Sequence, residues 1–205
     1  MRIAILGAGG HGKVVADAAM AIQGISVVGF LDDDPALAGR TLLGLPVLGA
    51  ISLWQELDID AVIPAIGDNR ARRNVVIRER ARNATVATIV HPAAVVSRRA
   101  NVGTGTTVLA GAIINADAQV GENVIVNTGA IVEHDCVIDS HVHIAPGCCL
   151  GGAARIGEGS FLGIGCRILP GLNVGRWSVV GAGAVVIRDI KDNNTVAGVP
   201  ARTLR

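Results

Sequence analysis

The chain has 205 residues, with 18 Lys and Arg against 17 Asp and Glu, a net charge of +1. That length suits one or two domains with a buried core, and so small a charge excludes strong electrostatic steering to nucleic acid or an anionic membrane. Half of the residues are hydrophobic but only 2% are aromatic, so Val, Ile, Ala and Gly must build the core from many small, similar pieces.

The first apolar run ends at Gly7, too short for the core of a secretory leader. No uninterrupted apolar stretch approaches the ~20 residues of a membrane span. The expectation is a soluble, cytoplasmic chain with no membrane insertion. Its four cysteines, Cys136, Cys148, Cys149 and Cys166, show no CxxC spacing, and in the cytoplasm thiols stay reduced by default.

In chain order, Ile3–Leu6 reads as a buried strand, followed by a glycine-rich loop and a helix-like run over Val14–Ile22. Residues 26–33 read as a second strand, 51–57 as a short helix, 61–66 as a third strand and 69–82 as a basic helix. That last helix carries Arg70, Arg72, Arg73, Arg78, Arg80 and Arg82, which read as a solvated face. Strands alternating with helices imply a parallel sheet, so residues 1–85 read as an α/β domain.

Gly7-Ala8-Gly9-Gly10-His11-Gly12 fits G-x-G-x-x-G between a strand and a helix, and Asp32 lies twenty residues beyond Gly12. Glycines let the backbone approach a ligand, and amides at the helix N-terminus favour phosphate. A full dinucleotide fold needs two βαβαβ halves, and only one fits here. This half-Rossmann domain therefore suits a mononucleotide, such as the nucleotide part of a sugar donor, better than NAD. In that reading Gly9, Gly10 and His11 lie at the phosphate or sugar, and Asp32 and Asp33 at the base or ribose. Plain strand-end solvation is the alternative for the two acids.

From Val90 a step of six lands on Val90, Val96, Val102, Val108, Ile114, Val120, Val126, Val132, Ile138, Ile144, Leu150 and on to Val186, aliphatic at every step. Two places before most of these the side chain is small, as at Ala112, Ala118, Ala130, Cys136, Cys148 and Cys166. Six residues per side and eighteen per turn describe a triangular coil of short strands whose neighbours stack into one core. Residues 86–205 thus read as an all-β, parallel β-helix, with Cys136, Cys148 and Cys166 as small hydrophobes.

The stretch Glu133-His134-Asp135-Cys136-Val137-Ile138-Asp139-Ser140-His141-Val142-His143 holds three of the five histidines. His134 follows core Val132 by two places and His143 precedes core Ile144, so both are expected to face outward. Nine residues is half a turn, so the two can converge only across an interface between copies of the chain. A histidine beside a carboxylate can act as a base with its orienter. Zinc held by residues 134, 141 and 143, as in the γ-class carbonic anhydrases, is a second reading, and solvated decoration a third. Ile138-Asp139 stands where the repeat otherwise prefers glycine after the aliphatic residue.

The motifs GAGGHGKVV, FLDDDP, NTGAIVEHDCVI, HIAPG and Gly198-Val199-Pro200-Ala201-Arg202 resemble the bacterial nucleotide-sugar acetyltransferases of the sialic acid O-acetyltransferase-like family, over essentially the whole chain. The resemblance implies a left-handed β-helix and acetyl transfer from acetyl-CoA to the 4-amino group of a bacillosamine- or perosamine-type nucleotide sugar, with no metal required. It implies His134 as catalytic base, Asp135 as its orienter, and His143, Asn127 and Gly152 at the acetyl-CoA, whose adenine would lie near the C-terminal coils. Gly9, Gly10, His11, Asp32 and Asp33 match the nucleotide-sugar end. It also implies a homotrimer with sites between subunits. The nearest alternatives are O-acetylation of a sugar hydroxyl, as on a sialic acid, and a non-catalytic nucleotide-binding trimeric scaffold.

Overall fold

The computed structural model describes residues 1–204, and the chain forms two compact units, residues 1–92 and a second beginning at Ala93. Among the described residues no helix is long and apolar enough to cross a membrane.

The first unit is built from β1 (Arg2–Leu6), α1 (Gly10–Met20), β2 (Ser26–Leu31), β3 (Thr41–Leu42), β4 (Leu45–Pro46), β5 (Ala61–Pro64) and α2 (Asn69–Arg80). Parallel strands lie in the order β2-β1-β5. Central β1 is apolar without alternation because both of its faces are covered, and Ile3, Ala4 and Ile5 are fully buried. α1 buries Val15, Ala16 and Ala19. The side chain of Asp68 caps α2 by accepting from the Ala71 amide at 2.7 Å. The segment at 51–57 is a 3-10 helix over Ile51–Glu56. The β3–β4 hairpin was not expected. Its two-residue turn places Leu43 at φ 52° and Gly44 at φ 75°, the doubly left-handed geometry that suits tight hairpins.

The reading of α2 as a solvated basic face is corrected at two places. Arg72 is 1% exposed and donates to the Ile66 carbonyl at 3.0 Å and to Asn69 Oδ1 at 2.9 Å. Glu79 is fully buried and accepts from Trp54 Nε1 at 2.8 Å, Arg78 Nε at 2.5 Å and Arg82 at 3.4 Å. The physical reason is that a buried charge is tolerated when its hydrogen-bonding capacity is filled, here by Ile66 and Asn69 for Arg72 and by Arg78, Arg82 and the more distant Trp54 for Glu79.

In the second unit, from Val95 to Val186, the strands are two residues long and pair in parallel with a constant offset of eighteen. Ile113–Ile114 lies between Val95–Val96 and Ile131–Val132, and Ile125–Val126 pairs with His143–Ile144. Three sheets result, parallel except where Arg202–Thr203 adds antiparallel to Thr195–Ala197. The aliphatic slot fills the interior from Val108 to Val186, mostly at 0–2% exposure. Each such side chain contributes roughly 1.5–3 kcal/mol on burial. Val96 and Val102, in the first coil of the stack, are half-buried.

The small side chains of the slot are buried from Thr106 to Ala184, and the polar ones are bonded. Thr106 Oγ1 donates to the Gly121 carbonyl at 2.8 Å and accepts from Val124 N at 3.0 Å. Ser160 repeats the pattern with Gly175 and Ser178. Cys136 donates to the Gly151 carbonyl at 3.3 Å, and Cys148 and Cys166 lie one above the other with sulfurs 3.6 Å apart.

Candidate active site

At one corner of the β-helix, equivalent positions of successive coils carry Ala116, His134, Gly152 and Pro170. A backbone ladder fixes this corner: the Ala116, His134 and Gly152 carbonyls accept from Asp135, Ala153 and Gly171 at 3.1, 2.8 and 2.9 Å. Asp135, Ala153 and Gly171 are left-handed, at φ 59°, 59° and 72°. Asp tolerates that conformation better than most residues.

The turn brings Asp135 Oδ2 to 2.8 Å from His134 Nδ1. An ionised carboxylate only accepts, so Nδ1 carries the hydrogen and the lone pair of neutral His134 sits on Nε2. The two side chains are 62% and 61% exposed. The Asp135 hydrogen bond, with the negative charges of Asp135 and Glu133, raises the His134 pKa above its ordinary value.

His143 differs from the sequence expectation. Its side chain belongs to the outer surface of a strand, yet the residue is 8% exposed. The Phe161 ring, one coil on, meets it edge-on at 5.2 Å. Asn127 Nδ2 lies 3.1 Å from His143 Nε2, while Asn127 Oδ1 accepts from the Thr128 amide at 2.8 Å. That second bond orients the amide, so Nε2 of His143 accepts and its Nδ1 carries the hydrogen. Packing by residues eighteen and sixteen places away buries a ring that local alternation puts outside.

Within one chain His134 lies in the turn between the strands Ile131–Val132 and Val137–Ile138, whereas His143 opens the strand His143–Ile144 of a third sheet. His141 sits at another corner, at φ 65°, with Nδ1 2.8 Å from Asn123 Nδ2. Among the described residues no three His, Cys, Asp or Glu side chains converge as metal ligands, so residues 134, 141 and 143 form no three-histidine set within a chain.

In the first unit, the helix begins at the glycine loop. A Cβ on Gly12 would lie 2.1 Å from the Gly7 carbonyl oxygen, so Gly12 is what lets α1 close onto β1. Gly9 and Gly10 have nothing within 4 Å of a Cβ and are exposed, leaving their backbone open to a ligand. Burial, with the nearby Arg72 charge, pushes the His11 pKa down to about 4.

Asp32 is half-buried and Asp33 exposed, and both are engaged by other groups of the first unit. Asp32 accepts from the Ala8 amide at 2.7 Å and from Asp34 N at 2.9 Å. Asp33 accepts from Ile51 N at 2.9 Å and pairs with Arg78 at 3.1 Å. Arg78, which reads as part of a solvated face, instead ties Asp33 to Glu79. At the C-terminal coils a cavity of about 400 Å³ is lined by Arg188, Lys191, Asn194 and Arg202.

A strand–glycine loop–helix unit followed by a hexapeptide β-helix bearing a His–Asp pair defines the class as a hexapeptide-repeat transferase with an N-terminal α/β unit. Residues 2–78 match the PglD N-terminal domain family, and residues 117–152 match the bacterial transferase hexapeptide family. PerB from Caulobacter crescentus, solved with CoA and GDP-perosamine, is 39% identical, with 100% of this chain and 98% of that chain covered and a TM-score of 0.94. The acetyltransferase domain of PglB from Neisseria gonorrhoeae, solved with acetyl coenzyme A, is 40% identical over 99% of this chain and 98% of that chain, with a TM-score of 0.93. WeeI from Acinetobacter baumannii is 28% identical over 100% of both chains, with a TM-score of 0.91. No curated protein gives a significant sequence match. The chain belongs to the left-handed β-helix family of perosamine- and PglB-type sugar N-acetyltransferases.

Proposed function

We propose that this protein transfers the acetyl group of acetyl-CoA to the 4-amino group of a nucleotide-linked amino sugar of bacillosamine or perosamine type, for bacterial surface glycan or glycoprotein synthesis. The observation that carries this reading is the His134–Asp135 pair on a chain 38% identical to a perosamine N-acetyltransferase solved with CoA and GDP-perosamine. Residues 1–85 serve as the nucleotide-sugar-binding domain and residues 86–205 as the acetyltransferase domain. The enzyme works in the cytoplasm as a homotrimer, in which His134 of one copy faces His143 of the next.

The sugar amine attacks the thioester carbonyl carbon directly. The N–C bond forms, the C–S bond breaks, and Nε2 of His134 takes the proton that the amine loses and returns it to the departing thiolate. Asp135 holds the ring and stabilises its protonated form. A base so placed contributes ~100- to 10,000-fold. His143 and Asn127 line the thioester end, with Gly152 beside it. The basic cavity near Arg188 and Lys191 supports placing the adenine end of acetyl-CoA at the C-terminal coils.

In the first domain the open backbone at Gly9 and Gly10 receives phosphate at the start of α1, and His11 contacts the phosphate or sugar. Asp32 and Asp33 serve the nucleotide end while shaping the loop around it. Free CoA released from acetyl-CoA with a panel of UDP-, GDP- and dTDP-linked 4-amino-4,6-dideoxy sugars tests the reading. Release that depends on one sugar and is lost in His134→Ala is expected. Release with hydroxyl acceptors alone, or unchanged release in His134→Ala, overturns it.

A further inference from the structure

We infer that Gly152 is a positioning residue for His134, providing a bare seat on which the imidazole lies with Nδ1 turned to Asp135. A Cβ built on Gly152 would sit 2.5 Å from both Cε1 and Nε2 of His134 and 3.2 Å from Cδ2, and these ring atoms are its three nearest neighbours. The obstacle to a side chain at 152 is therefore the histidine of the preceding coil.

Nothing in the backbone asks for glycine there. Gly152 is not in the left-handed region where glycine is favoured. The same corner slot accepts alanine at Ala116 and proline at Pro170, and the carbonyl ladder runs unbroken through Gly152. Neighbouring glycines have other causes: a Cβ on Gly151 would meet Pro170. With Asp135 holding Nδ1 from one side and Gly152 admitting the Cε1–Nε2 edge on the other, the exposed ring is confined without being buried. This role is distinct from lining the acetyl-CoA cleft, and it rests on the reading of His134 as the base.

The test is an NMR titration of the His134 imidazole in the full-length protein and in Gly152→Ala, beside pH profiles of kcat/KM. The added methyl should drive the ring off its seat and away from Asp135. The His134 pKa then falls toward its ordinary value, the acid limb of kcat/KM moves to lower pH, and kcat drops at least tenfold. If Gly152→Ala also lowers the melting temperature, His134→Ala/Gly152→Ala should restore it, since the clash is gone. An imidazole titration identical to wild type overturns the seat, even if the KM for acetyl-CoA rises. Failure of the double variant to recover a stability loss overturns it as well. Wild-type turnover in His134→Ala would instead remove the base assignment, leaving the titration to decide the seat alone.

Discussion

His134 and Asp135 are consecutive in the chain, yet Nδ1 of one lies 2.8 Å from Oδ2 of the other. Neighbouring residues on a strand point to opposite faces. Here the left-handed backbone of Asp135, anchored to the Ala116 carbonyl, folds the carboxylate back onto the ring.

The first prediction follows from this bond. In a raised-pKa histidine the neutral, basic form is lost as pH falls through that raised value. Activity in the wild type should therefore fall on the acid side above the ordinary histidine pKa of about 6.5. Asp135→Asn removes the main cause of the shift, so the acid limb should move to lower pH. At the optimum kcat should drop roughly tenfold or more, within the range for a general base. A limb that stays in place would separate Asp135 from His134.

Gly12 and Gly10 should part company on substitution. Gly12→Ala forces a methyl against the Gly7 carbonyl at 2.1 Å and should cost at least the ~1–3 kcal/mol typical of overpacking. Gly10→Ala meets nothing and should leave the melting temperature unchanged, while weakening nucleotide binding in calorimetry by tenfold or more. Equal melting curves for the two would contradict the packing.

Glu79 should be a point of collapse for the first unit. Glu79→Ala leaves Trp54 Nε1 and Arg82 without the Glu79 carboxylate, while Arg78 keeps Asp33. Stranding the part-buried Trp54 indole N–H costs about 1–3 kcal/mol, while Arg78 and Arg82 are exposed enough to rehydrate. Denaturant unfolding followed by Trp54 fluorescence, in a Trp177→Phe background, reads it, and a loss below ~1 kcal/mol would count against the network.

Acid should loosen the same unit through His11. Its folded pKa, about 4, lies below the unfolded value of 6.5, so the unfolded chain binds the proton first. The stabilising difference is fully present above pH 6.5 and is lost as pH falls to about 4, by up to ~3 kcal/mol. His11→Asn should flatten stability over that window. An unchanged slope would assign the acid sensitivity elsewhere.

Much of the second unit is legible in the chain because each coil repeats one rule, an aliphatic residue every sixth place, with no long-range partner needed to see it. His134 and its exposure follow from its count past Val132. The burial of His143 does not, because Asn127 and Phe161 cover it only once the coils stack. Likewise Arg72 and Glu79 look solvated on a helix with six arginines, since the partners that bury them, Ile66 and Trp54, lie outside the helix repeat. The β3–β4 hairpin is hidden because two-residue strands carry too little alternation to register. The Asp32 and Asp33 carboxylates read as ligand contacts, and only the fold reveals that Ala8, Ile51 and Arg78 already engage them.

The eighteen-residue offset between paired strands, held from Val95 through Val186, makes chain length in this unit a quantised variable. A whole extra coil placed between Gly157 and Ser178 should stack as a native one and leave the His134 corner untouched. An insertion of one or two residues inside a strand or its core slot would instead rotate every later side chain out of its column. Natural or engineered variants of this prism should therefore differ in height by whole storeys, with odd-sized additions confined to loops that bulge from its corners.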